Sequence, residues 1–343
     1  MKRLAVALLV VPIAAMGACS SSSKSSSSSS AAAVASTTVA APQAITVHAG
    51  ANDPSDRHIA INAFMPATIN VHVGTKVTWS WEGTIEPHSV SFYPGQQRPP
   101  VPPDPKTFAP VPVTGPIDGT NAASSGLQPQ GPQAATPFTV SFAKAGTYKY
   151  YCVIHPTMSG TVNVTDASGT EDTASAVAGA GKTEMQGYLA EGEGAAKALA
   201  AATPEKTATS DGATTYTVEM GKSTAHTDVM AFAPTPANLK AGDKVMFINN
   251  SGAPHTASFF NGHPAIQSPE SPEAQKPAPG TSPQTLNTTD LFNTGVLPPN
   301  APPGAGPPAV VRSFIFKVPA AGNYSYVCIF HASEGMTGTI AAT

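Results

Sequence analysis

Cys152-Val-Ile-His155-Pro-Thr-Met158 stands near the middle of the chain and Cys328-Ile-Phe-His331-Ala-Ser-Glu-Gly-Met336 at its end. Each is preceded far upstream by a Pro-His pair, Pro87-His88 and Pro254-His255. A soft thiolate, two imidazoles and a thioether form the ligand set of a blue-copper electron-transfer site. Two histidines and a thiolate in a plane, with a distant thioether, suit both Cu(I) and Cu(II), so little rearranges when the electron moves. Two such sets predict two coppers per chain. In each set the cysteine ends one strand, the next histidine and the methionine come from the tight turn after it, and the first histidine arrives from a neighbouring strand. Bound to copper, each cysteine is deprotonated.

Ligands held this way require strands, and the local pattern supplies them twice. Thr46-Val47 through Gly50 matches Thr217-Val218 through Gly221, Phe64-Met-Pro matches Phe232-Ala-Pro, and Val73-Gly-Thr-Lys-Val matches Ala241-Gly-Asp-Lys-Val. Pro87-His-Ser-Val-Ser-Phe matches Pro254-His-Thr-Ala-Ser-Phe, and Ala145-Gly-Thr-Tyr-Lys-Tyr-Tyr-Cys matches Ala321-Gly-Asn-Tyr-Ser-Tyr-Val-Cys. A repeat of roughly 170 residues is a duplicated domain, not a solenoid. Ile69 to Val73 alternates, Lys76 to Trp81 is rich in β-branched and aromatic residues, and Tyr148, Tyr150 and Cys152 fall on one face of a period-2 strand. Short strands with Gly and Pro turns predict an all-β chain of two tandem β-sandwiches, over 44–165 and 213–343. Within each, a proline-rich insertion, about Pro94 to Gln133 and Pro264 to Pro308, ends in a similar phrase, Ser125-Gly-Leu-Gln-Pro or Thr294-Gly-Val-Leu-Pro. Between them, 166–212 reads as an Ala/Gly-rich linker. Met185, Tyr188, Leu189 and Leu199 suggest a short helix there, which Gly187, Gly192 and Gly194 weaken.

Only 11% of the 343 residues are charged and the formal net charge is -3, which offers no case for a nucleic-acid partner. Residues 1–18 read as a signal peptide: Lys2 and Arg3 precede an apolar run from Leu4 to Ala15 that is too short to span a bilayer. Met16-Gly17-Ala18-Cys19 resembles a bacterial lipobox, with Met16 where that pattern usually has Leu, and implies lipidation at Cys19. Ordinary cleavage that leaves a free thiol is the alternative. The Ser/Ala-rich stretch 19–43 cannot bury enough apolar surface to fold. As a coil it reaches on the order of 25 Å, a tether holding a head off the outer face of the cytoplasmic membrane.

At the ligand motifs the chain resembles the cupredoxins. Tyr150 to Gly160 is similar to the amicyanin ligand loop, with two residues between His155 and Met158; Tyr326 to Gly338 is similar to the plastocyanin loop, with four between His331 and Met336. The resemblance implies Greek-key sandwiches and the copper ligands His88, Cys152, His155 and Met158 in one domain, and His255, Cys328, His331 and Met336 in the other. It also implies an electron port at the exposed edge of the loop histidine. Ile154 and Pro156 would form an apolar patch around His155, and Phe330 and Ala332 around His331, suited to transient redox partner proteins.

The expectation is therefore an exported, membrane-tethered electron carrier and not an enzyme. A two-domain copper oxidoreductase, such as a nitrite reductase or laccase relative, would need further copper on clustered histidines. Here Cys152 is flanked by Tyr151 and Val153, Cys328 by Val327 and Ile329, and no His-x-His occurs. Copper storage or delivery would favour open, exchangeable clusters of methionine or histidine, whereas the nine methionines are scattered. His58 and His226 occupy matched positions and could mark a further metal site or an inherited strand-edge polar residue. His48, His72 and His263 read as solvated side chains.

Overall fold

The computed structural model describes residues 44–98, 104–128, 134–262, 282–300 and 313–343. Among these residues nine strands precede a long helix: β1 (Ile45–Asn52), β2 (Ile59–Met65), β3 (Thr68–His72), β4 (Val77–Ser80), β5 (Ser91–Phe92), β6 (Ala123–Ser124), β7 (Phe138–Val140), β8 (Gly146–Tyr151) and β9 (Ser159–Thr165). After α1 (Ala174–Ala200) come β10 (Lys206–Ala208), β11 (Thr214–Ser223), β12 (Thr227–Ala233), β13 (Lys244–Ile248), β14 (Ser258–Phe259), β15 (Gln284–Thr285), β16 (Phe292–Asn293), β17 (Ser313–Lys317), β18 (Gly322–Val327) and β19 (Thr337–Ala342).

Alternation decides which faces meet. β9 buries every second residue, as does β3, where Ile69 and Val71 point inward between half-buried Asn70 and His72. A sheet ordered β2-β1-β4-β7 covers a second ordered β3-β9-β8-β5-β6. Their shared core centres on Tyr150, whose ring lies 4.7 Å from Phe64 and 5.0 Å from Trp79. In the second sandwich β15-β17-β13-β11-β12 covers β16-β14-β18-β19. There Tyr326 takes the same place, 4.8 Å from Phe232 and 4.9 Å from Phe247.

The two sandwiches share a sheet. β2 pairs antiparallel with β12 in the register Thr227 to Ile61, Asp228 to Ala60 and Val229 to Ile59. Ala60 and Asp228 are matched positions of the two sequences, so the pairing runs about a pseudo-two-fold axis through them. The flanking bonds obey the same symmetry: Asn62 N–H donates to the His226 carbonyl at 2.8 Å and Met230 N–H to the His58 carbonyl at 2.7 Å. Two edge strands that would each expose an unpaired ladder thus satisfy one another.

The helix expected to be short runs 27 residues, capped by the Thr173 hydroxyl, which accepts from Ala176 N–H at 3.1 Å. It packs on β1, β2 and β12, with Met185, Tyr188 and Leu189 against Ile61, Ala63 and Met65. Gly192 permits this close approach, since a Cβ there would lie 2.4 Å from Ile59 Cγ2. Glu184 accepts from Ala67 N–H at 3.0 Å and Glu191 approaches His226 Nδ1 at 3.1 Å, so the helix clasps both sandwiches rather than merely linking them.

Candidate metal centres

His88 and His255 each sit just before a short strand and are fixed by the end of the proline-rich insertion. His88 exchanges two backbone hydrogen bonds with Gln128, both 2.8 Å, and His255 exchanges two with Leu297, at 3.1 and 2.8 Å. Two residues on, Val90 N–H donates to Ser125 Oγ and Ala257 N–H to Thr294 Oγ1, both at 2.9 Å. The recurring phrases noted in the sequence are thus the straps that hold the first histidine of each centre. The cysteine loops are pinned in the same way. Ser89 Oγ accepts from Val153 N–H at 3.0 Å and Thr256 Oγ1 from Ile329 N–H at 3.1 Å. Ser89 N–H and Thr256 N–H each point at the cysteine sulfur, at 3.4 Å.

These constraints bring the ligand atoms together. His88 Nδ1 lies 3.0 Å from His155 Nδ1, which is 3.4 Å from Cys152 Sγ. In the second centre His255 Nδ1 lies 3.0 Å from His331 Nδ1, and Cys328 Sγ stands 3.6 and 3.4 Å from those two nitrogens. Around one ion with bonds of about 2.0 Å to nitrogen and about 2.3 Å to sulfur, ligands in a regular trigonal plane stand about 3.5–3.7 Å apart, and closing the angle between the two imidazoles to about 100° brings their nitrogens to about 3.0 Å. Both trios fit. Met158 and Met336 are 1% and 0% exposed and close their loops through backbone bonds, Cys152 N–H to Met158 O and Cys328 N–H to Met336 O. The two histidines and the cysteine predicted for each centre therefore converge, and the predicted methionine closes the same buried loop.

Burial sets the protonation. It holds His88 and His255 well below the usual imidazole range and brings His155 down to about 4 and His331 to about 3, so all four rings offer a neutral lone pair at neutral pH. Burial also raises the Cys152 thiol and pushes Cys328 up to about 11. A bound metal must therefore displace the thiol proton, which couples binding to pH.

The centres differ in their surroundings. Ser251 Oγ lies 2.8 Å from His255 Nε2, whereas His88 Nε2 finds no partner among the described residues. Arg98, from the first insertion, donates to the carbonyls of Cys152 and His155 at 3.1 and 2.6 Å and so clamps the first ligand loop. Sequence reasoning missed Arg98, and it missed the role of Gly50 and Gly221. These glycines occupy β-bulges in β1 and β11 with φ of +77° and +80°. A Cβ on Gly50 would stand 2.1 Å from His88 Nε2, and one on Gly221 2.7 Å from His255 Nε2. Their recurrence at matched positions was the available signal.

One expectation changes. The loop histidines are not exposed ports: His155 and His331 are only 6% and 3% exposed, because each loop faces the other sandwich. His58 and His226 join no metal-ligating cluster among the described residues. They sit instead in the turns before β2 and β12, His58 Nε2 lying 3.2 Å from Gly335 O and His226 stacking on Tyr188 at 4.2 Å. His72, read as solvated, is held by Glu171 at 3.2 Å. Cys19 and His263 lie outside the described residues.

Two buried His2Cys trios, each on the loop of a β-sandwich, are soft donor sets of the kind that suits copper. The family of copper-binding proteins that includes plastocyanin and azurin matches residues 56–165. Plastocyanin of Scenedesmus fuscus is 30% identical over 124 residues, 36% of this chain and 95% of the relative. Chloroplastic plastocyanin of Chlamydomonas reinhardtii is 29% identical, covering 36% of this chain and 64% of the relative. Among solved structures, a methionine-to-lysine variant of oxidised amicyanin matches at 24% identity and TM-score 0.23, over 36% of this chain and 82% of that one. The chain belongs to the plastocyanin/azurin family of copper-binding proteins, the cupredoxins.

Proposed function

We propose that the protein is an exported blue-copper electron carrier with two type 1 centres. His88, Cys152, His155 and Met158 hold one copper and His255, Cys328, His331 and Met336 the other. The observation that carries this is the pair of matched trios, each with its ligand atoms within 4.8 Å of one another. Copper bound there supplies one-electron chemistry between Cu(I) and Cu(II). The protein's part is to keep four neutral imidazoles and two thiols aimed inward, exclude water, and hold that geometry by straps and bulges. Its redox partners are transiently docking electron donors and acceptors.

The test is copper analysis with visible absorption. The intact protein should carry two coppers with intense thiolate-to-copper absorption. Cys152→Ser and Cys328→Ser should each remove one copper and its share of the band, and the double variant both. A third firmly bound copper would favour the oxidoreductase alternative, and a single variant that bleached the protein entirely would refute two independent centres.

The cellular setting is part of the same proposal: export, followed by lipid attachment at Cys19 on the outer face of the cytoplasmic membrane. No helix among the described residues is long and apolar enough to cross a membrane. Cys19→Ala should abolish lipid labelling while leaving copper content unchanged; persistent labelling would remove the anchor from the proposal.

A further inference from the structure

The β2–β12 pairing does more than join two sheets. Because it runs about a pseudo-two-fold axis, it turns the ligand loop of each sandwich toward the other. In the second loop, His331 aims Nδ1 inward at Cys328 and His255, which leaves the opposite ring edge outward. That edge does not meet solvent: His331 Nε2 lies 3.6 Å from Glu86 Oε1, a buried carboxyl of the first sandwich. Glu86 is only two residues from His88, so one short non-bonded gap separates a ligand of the second centre from the backbone that carries a ligand of the first. In the first loop, His155, Pro156 and Thr157 line a cavity whose other wall is His226, Asp228 and Gly252 of the second sandwich. The matched turn of the first sandwich, at His58, touches Gly335, the neighbour of Met336.

On the proposal that both trios hold copper, we infer that the interface between the two sandwiches is an internal electron-exchange surface. The loop histidines His155 and His331, turned to each other's sandwich, let one electron pass between the two centres within a single chain. The step is balanced by the centres themselves: the one in the Cu(I) state loses an electron and the one in the Cu(II) state gains it, with no bond made or broken and no proton required.

The single variants Cys152→Ser and Cys328→Ser first establish that each remaining centre holds one copper; failure there refutes the two-copper proposal, not the exchange. With that established, the fully oxidised two-copper protein should give an electron paramagnetic resonance spectrum broadened relative to the sum of the single variants. A spectrum that superposes on the sum would place the centres too far apart and overturn the inference. Exchange itself is read by pulse radiolysis delivering less than one electron per chain. The expected result is a first-order redistribution phase, independent of protein concentration and missing from both single variants. No such phase, or one whose rate scales with concentration, would equally overturn it.

Discussion

Gly50→Ala tests whether the bulge in β1 exists to admit a ligand ring. The added Cβ would lie 2.1 Å from His88 Nε2, 2.4 Å from Cδ2 and 3.1 Å from Cε1, whereas unstrained contact needs at least about 3.4 Å. The ring must therefore retreat by more than about 1 Å, and it cannot do so while Nδ1 stays 3.0 Å from His155 Nδ1. Alanine at φ +77° adds about 1–2 kcal/mol of backbone strain, and the overpacking about 1–3 kcal/mol more. If most of this falls on the bound geometry, copper affinity at the first centre drops by about ten- to a thousandfold. The assay is a copper titration in the Cys328→Ser background, where only the first centre contributes to the visible band. Gly74→Ala is the control, because its φ of +87° carries the same strain but no atom lies within 4 Å of the added Cβ. Gly74→Ala should lower stability and leave copper affinity alone. Equal affinities for Gly50→Ala and the unaltered first centre would refute the reasoning, as would an equal loss in Gly74→Ala.

Asp228, at the centre of the β2–β12 pairing, accepts from Asn62 Nδ2 at 2.7 Å and from Ser223 Oγ, yet burial still pushes it up to about 6. A raised carboxyl contributes stability that is complete below its unfolded value near 4 and is lost as pH rises through about 6, a swing of about 3 kcal/mol. Asp228→Asn should flatten the rise in denaturation midpoint of the metal-free protein on going from pH 7 to pH 4, and an unchanged slope would count against the assignment. Gly187, with nothing within 4 Å of an added Cβ, and Gly192, whose Cβ would meet Ile59, give opposite expectations along α1. Thermal unfolding should show Gly187→Ala stabilising by about 0.5–1 kcal/mol and Gly192→Ala destabilising by about 1–3 kcal/mol. Matching signs would mean that the helix does not pack on β2 as described.

The centres were legible because their residue types and spacings are dictated by the metal, and the strands because alternation places Tyr148, Tyr150 and Cys152 on one buried face. The straps were half legible: the recurring phrases at Ser125 and Thr294 stood out, but nothing local shows that a loop end tens of residues away returns to bond with His88 or His255. The bulge glycines were visible as matched letters without a role, since the clash they avoid is tertiary. Two features were read wrongly for one reason. The glycines of α1 weaken an isolated helix, and the loop histidines of an isolated sandwich would face solvent, so each reading was sound for a part taken alone. Packing between the parts reversed both, because Gly192 lets the helix sit on β2 and the other sandwich covers His155 and His331.

That reversal follows from one choice of contact. A sandwich with a free edge strand can satisfy its ladder by covering it, by breaking it or by pairing it. Here β2 and β12 pair with each other, and Ile61 with Thr227 and Ile59 with Val229 are equivalent pairs under the exchange of sandwiches. Symmetry then allows no independent placement of the loops: if one ligand loop is carried toward the second sandwich, the other is carried toward the first. The contacts His331 to Glu86 and His58 to Gly335 on one side, and the cavity joining His155 to His226 on the other, are the two halves of that constraint. They are not identical halves, because the second loop has two more residues between histidine and methionine and reaches across with Glu334, which is hydrogen-bonded to Glu86. Burial and the nearby Glu334 raise Glu86, so the pair can hold a proton and avoid two adjacent buried charges. The shorter first loop leaves open space in the corresponding place, the cavity beside His155. The pairing of the edges thus determines that the two centres face one another, and the difference in loop length determines that one side of the interface is filled and the other hollow.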